Sequence, residues 1–155
     1  MRSLRLATGA AILVALTACA PGTPDEDSWR GDATRAVGDV ASAVQTARLG
    51  LSLARRDRVP HAYLQTVVVE AETNGGLSAE KLSAVQPPPV ERRRASDVSD
   101  LLQQAIDLLT ETRIAVVDGD EAVYADLAGR LATAADDLGT LEDALDHPPS
   151  EAAAP

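Results

Sequence analysis

One stretch of this chain leaves little freedom in how it folds. Between residues 124 and 145, Tyr124, Leu127, Leu131, Ala134, Leu138, Leu141 and Leu145 recur in alternating steps of three and four, with polar residues between them. That spacing draws a single apolar stripe along an α-helix and is incompatible with the two-residue period of a strand. Three further segments carry the same signature. In the first, Val37, Val40, Val44, Ala47, Leu51 and Ala54 repeat at helical spacing up to Arg55, Arg56, Arg58 and Pro60. Cations suit a helix C-terminus, and the residue before a proline avoids helical angles, so the first helix stops there. A third segment, from the triple proline 87–89 onward, carries Val98, Leu101, Leu102, Ala105, Leu108, Leu109, Thr112, Ala115 and Val116.

The second segment, Pro60 to Gln86, has Leu64, Val67, Val68, Ala71, Leu82 and Val85 on its apolar side and Asn74-Gly75-Gly76 in its middle. A glycine pair normally marks a loop. Here Leu64, Ala71 and Val85, like Val68 and Leu82, keep a heptad phase across it. A loop of arbitrary length would lose that phase, so the segment reads as one long helix weakened near Gly75 rather than two short ones. Gly75 reads as a close helix crossing. Asp118-Gly119-Asp120 supplies the last connection: Gly119 takes the left-handed C′ position and Asp120 caps the next helix. The expected fold is all-α, a four-helix up-down antiparallel bundle over residues 29–146. Seams rich in Ala and Val predict close packing with little room for a buried ligand.

The N-terminus carries an address. Arg2 and Arg5 precede an apolar run from Leu6 to Ala18. Such a run is short of the roughly 20 residues a membrane span needs and matches the h-region of an export signal. Leu16-Thr17-Ala18-Cys19 follows: Leu, two small residues, then Cys. In order and spacing, residues 1–19 resemble the signal peptide and lipobox of bacterial lipoproteins. The resemblance implies that residues 1–18 are cleaved and that the Cys19 thiol receives a diacylglyceryl group. The protein would then be held by acyl chains on the outer face of the cell membrane. Cys19 is the only cysteine, so no disulfide forms within the chain. Residues 19–28 read as the lipidated cysteine and a disordered tether, and 147–155 as a disordered tail. Beyond the lipobox, the chain is similar in texture to alanine-rich helical lipoproteins of GC-rich bacteria, a likeness that transfers no activity and no site residue.

Charge and composition narrow the function. The formal net charge is −10, and losing Arg2 and Arg5 with the signal leaves 12 basic against 24 acidic residues. Such a body repels phosphate backbones, so nucleic acid is not an expected partner. Anionic lipid repels it as well, so attachment rests on the acyl chains. His61 and His147 belong to no zinc or di-iron pattern and read as helix-end residues. The sequence holds no nucleophile elbow, Walker loop or dinucleotide turn. No catalytic residue, metal site or cofactor is therefore expected, and the protein reads as no enzyme. Asp118, Asp120 and Glu121 crowd one turn, but without the calcium-loop pattern.

Arg92, Arg93 and Arg94 open the third helix, where the macrodipole disfavours cations. The plain account pairs them with Glu142, Asp143 and Asp146 at the end of the fourth. The sharper account makes them contacts for lipid head-group or cell-wall phosphates, which guanidinium forks suit. The expected function is a non-catalytic, membrane-anchored interaction module with an envelope protein as partner. The alternative is a solute- or ion-binding accessory lipoprotein of a transporter or sensor.

Overall fold

The computed structural model describes residues 25–147. The expected signal peptide and lipobox with Cys19, the expected tether up to residue 24 and the expected tail from residue 148 lie outside the described residues. The described chain is all-helical: α1 (Glu26–Ala54), α2 (His61–Ser83), α3 (Arg92–Asp118) and α4 (Tyr124–Asp146), with single 3₁₀ turns at Pro89–Glu91 and Glu121–Val123.

Helix α1 begins three residues ahead of the expected boundary at Trp29, because Asp25 is a working N-cap. Its carboxylate accepts from Ser28 N at 2.8 Å, and Glu26 and Asp27 place anions in the first turn. Trp29 is thereby carried into the core, 2% exposed. The buried face of α1 is mostly small, with Ala33, Ala36, Val37, Val40, Ala43, Val44 and Ala47 along it. Short side chains let neighbouring backbones come close, and α1 packs against each of the other three helices. Its end is followed by Asp57 at φ 53°, a left-handed position that aspartate tolerates better than most residues.

Helix α2 runs unbroken through the glycine pair. Leu64, Val68, Ala71, Gly75, Ser78 and Leu82 are its buried residues, and they form one ladder of four–three spacing. Gly75 and Ser78 therefore fill the two rungs that looked empty of apolar residues. A Cβ on Gly75 would lie 3.2 Å from Ile106 Cδ1, 3.3 Å from Leu109 Cδ1 and 3.4 Å from the Ala43 Cβ. The glycine is thus a crossing point where α2 meets both α1 and α3. Val67, expected among the core positions, is only half-buried and lies at the margin of the core. Pro60 does not begin α2 but precedes it as N-cap residue, its carbonyl accepting from Tyr63 N and Leu64 N at 3.0 and 3.1 Å.

Helix α3 ends at Gly119, φ 71°, as the sequence predicts, with Gly119 N and Asp120 N closing onto the carbonyls of Val116 and Ala115. The expected side-chain cap from Asp120 does not form. Its backbone carbonyl instead accepts from Val123 N at 3.4 Å within the 3₁₀ turn before α4.

The core runs the length of the helices, from Trp29, Val98 and Leu145 to Leu51, Leu64, Val116 and Tyr124. Each fully buried Leu or Val contributes about 1.5–3 kcal/mol of transfer free energy, which makes this stripe the main source of stability. Among the described residues, no helix is long and apolar enough to cross a membrane.

Candidate functional site

The arginines at the start of α3 divide into two kinds. Arg94 turns back onto Glu91, donating from Nη1 to both carboxylate oxygens at 3.1 and 2.9 Å. Arg30 of α1 donates to the same carboxylate from Nε at 2.9 Å, and also meets Glu26 and Asp27 of its own first turn. Glu91 is 3% exposed, so its charge is buried and held by two guanidinium groups. Glu91 is also the residue flanking the first turn of α3, where an anion is favoured by the helix dipole and offsets the three cations that follow.

Arg92 and Arg93 are exposed and make no ion pair among the described residues. The pairing of Arg92–Arg94 with Glu142, Asp143 and Asp146 is not what holds this end together. No ion pair links the two sets; Glu142 lies instead over Gly38 of α1, its Oε1 2.8 Å from where a glycine Cβ would stand. The physical reason is that Glu91 is nearer in sequence and already desolvated, so it captures Arg94 first. Cys19, the expected lipidation residue, lies outside the described residues.

A second feature is a groove of about 590 Å³ between α1 and α2. Its α1 wall is short-chained at Ser42, Ala43 and Thr46 and carries the Asp39 carboxylate at one end. Its α2 wall carries Tyr63, Val67, Glu70, Asn74, Leu77 and Lys81. These six stand one position before the six rungs of the buried ladder, so α2 presents a second heptad-spaced row beside its core row. Tyr63 and Leu77 are 58% and 49% exposed, so the row holds two of the large apolar side chains that the described surface leaves in solvent. Ser78 closes the floor by donating to Asp39 Oδ2 at 3.0 Å. The row is not visible as an apolar pattern, because Glu70, Asn74 and Lys81 interrupt it; the steps 63, 67, 70, 74, 77, 81 are the signal that carries it.

The opposite end is structural. His61 Nε2 donates to the Val116 carbonyl at 2.8 Å, joining the start of α2 to the end of α3. The expectation of a helix-end residue holds for its place in sequence, but the imidazole ties two helices together. His147, at the end of α4, has its ring Nδ1 3.3 Å from the Asp143 carbonyl. Between these ends, Glu72 of α2 accepts from Thr110 Oγ1 at 2.8 Å and pairs with Arg113, both on α3. Arg130 of α4 grips Glu111 of α3 with two bonds of 2.6 Å. That grip holds the Glu111 carboxyl below its ordinary range. Among the described residues, no three of His, Cys, Asp and Glu are grouped to hold a metal ion. No family model matches the chain, and no curated protein or solved structure matches it either.

Proposed function

We propose that this protein is a membrane-anchored envelope lipoprotein whose mature domain, an up-down antiparallel four-helix bundle, serves as a non-catalytic interaction module. Contacts between opposite ends of successive helices support the bundle: Gly50 with Leu64, His61 with Val116, and Glu111 with Arg130. The single observation that carries the anchor is the lipobox Leu16-Thr17-Ala18-Cys19 behind a charged and then apolar leader. Helix α1 starts at Glu26, so the lipidated residue lies only a few residues before the folded body. At 3.3–3.6 Å per residue the seven steps from Cys19 to Glu26 reach at most about 25 Å, and the domain stands against the outer face of the membrane.

Two surfaces then have work to do. Arg92 and Arg93 lie at the end where the chain enters, because the Arg30–Glu91 pair ties the start of α3 to the start of α1. Without a carboxylate partner among the described residues, they are the contacts for head-group or cell-wall phosphates. The exposed row on α2 is the docking face for an envelope protein.

The test is fractionation of cells making the full chain, together with mass spectrometry of its N-terminus. The expected result is a membrane-bound protein with acylated Cys19 at its N-terminus, released into the soluble fraction by Cys19→Ser. An unacylated Cys19, or membrane retention unchanged by that substitution, overturns the anchor.

A further inference from the structure

We propose that the partner of the α2 face is a second copy of this chain, with the two α2 helices packed antiparallel about a two-fold axis near Glu72. This rests on the interaction-module reading and gives it an occupant. The argument is the order of chemistries along the row. When α2 is laid antiparallel on itself, Tyr63 faces the partner's Lys81, Val67 faces the partner's Leu77, and Glu70 faces the partner's Asn74. A cation meets an aromatic face, an apolar side chain meets an apolar one, and a carboxylate meets an amide that donates to it. Each match is made twice by symmetry, as an isologous interface requires.

The parallel alternative places Glu70 against Glu70 and Lys81 against Lys81, with like charges opposed at both positions. The four–three steps permit either direction; the residue types select one. The row spans 18 residues of helix, about 27 Å, long enough for five turns of contact. Lys81 is the single lysine in the sequence, makes no ion pair among the described residues, and stands at the end of the row where it meets Tyr63. The short α1 wall of Ser42, Ala43 and Thr46 leaves space for the incoming helix. Antiparallel pairing sets the two α1 starts at opposite ends, so a tethered pair lies with its helices along the membrane plane.

The experiment is thiol cross-linking of the full chain in membranes with a short bismaleimide. Positions 67 and 77 are ten residues apart on one helix, about 15 Å, too far for the reagent to bridge within a copy. The expected result is a dimer-sized adduct from the double variant Val67→Cys/Leu77→Cys and from the two single variants made together. Either single variant alone, and the unaltered chain with only Cys19, should give none. Both positions are at least partly exposed, so the fold is retained. Adding Lys81→Glu to the double variant should reduce the adduct about tenfold. An adduct from Val67→Cys alone, equal to that of the double variant, would establish the parallel register and overturn the proposal. An adduct with a different protein and no dimer would overturn self-pairing while keeping the interaction module. No adduct of any kind would overturn both, whereas an adduct from the unaltered chain would report a free Cys19 thiol and overturn the anchor, the pairing then being read on the Cys19→Ser chain.

Discussion

Arg30 and Glu91 are 61 residues apart in the chain and 2.9 Å apart in the fold, and their pairing joins the start of α1 to the start of α3. The carboxylate is buried and has Arg94 as its second partner, so removing Arg30 leaves it with one guanidinium where it had two. Arg30→Ala is expected to lower unfolding free energy by about 1.5–3 kcal/mol, the range for losing one hydrogen bond to a charged group. The contrast is Arg130→Ala, which breaks an ion pair exposed by about half on both partners. There the loss should stay below about 1 kcal/mol. Glu111, whose carboxyl is held below its ordinary value chiefly by its hydrogen bond to Arg130, sets the pH sign. Its contribution is present above the ordinary value and disappears as pH falls through the lowered one. Urea unfolding at neutral and acid pH checks both variants.

Gly75 and Gly76 are neighbours with opposite demands. Nothing lies within 4 Å of a Cβ placed on Gly76, whereas one on Gly75 would press on Ile106, Leu109 and Ala43. Gly76→Ala should therefore stabilise the protein by about 0.5–1 kcal/mol, the helix-propensity gain. Gly75→Val should destabilise it by about 1–3 kcal/mol through overpacking against two helices. Thermal unfolding of the two variants side by side decides the matter; a loss on Gly76→Ala would contradict the open surface described here.

These residues also mark what a one-dimensional reading captures. The phase of Leu64, Ala71 and Leu82 survives the glycine pair because the backbone is helical from His61 to Ser83, so one long helix was legible and so was the crossing at Gly75, although Val85 and Gln86 lie past its end. Local chemistry did equally well at Gly119, where a left-handed residue was needed. The Arg30–Glu91 pair was not legible, because nothing in the spacing of α1 says which residue of α3 it meets. The arginine run was legible as a charge excess at the wrong end of a helix, but not as one arginine bound and two free. Burial of Glu91 makes that division, and burial is a property of the assembled helices. The outer row on α2 was written in the sequence at the same period as the core row. It was overlooked because half of its members are polar, and an apolar tally does not register them.

Tyr124 begins α4 and is 2% exposed, yet its hydroxyl has no hydrogen-bond partner among the described residues. A buried hydroxyl without a partner costs about 1–3 kcal/mol, so Tyr124→Phe should raise stability by about 1 kcal/mol. The same burial, with Glu121 and Asp120 nearby, pushes the phenol above its ordinary value of 10.0. The unfolded chain then loses this proton at a lower pH than the folded one. Above about pH 10 the unfolded state binds fewer protons, and stability falls as pH rises toward the raised value. Tyr124→Phe removes that share of the alkaline loss. Urea midpoints of both proteins near pH 7 and near pH 11 should differ more at the higher pH; a constant difference would show that the phenol does not contribute to the alkaline loss.

Arg92, Arg93 and Arg94 share one turn of α3 but should respond differently to substitution. Arg94 is spent on Glu91, so Arg94→Gln should lower stability and leave phosphate contact to its neighbours. Arg92 and Arg93 are exposed and carry no carboxylate, so replacing both by Gln should change unfolding free energy by no more than about 0.5 kcal/mol. It should even relieve some cation–dipole repulsion at the start of α3. If Cys19 is acylated and these two side chains contact phosphate, the double variant of the full chain should lose protection of this turn from hydrogen exchange on anionic vesicles. On neutral vesicles with the same acyl anchor, wild type and variant should then differ less, and added salt should narrow the gap on the anionic ones. Equal protection of wild type and variant on anionic vesicles, with stability unchanged, would leave the two arginines as solvated charges and remove phosphate contact from the account of this protein.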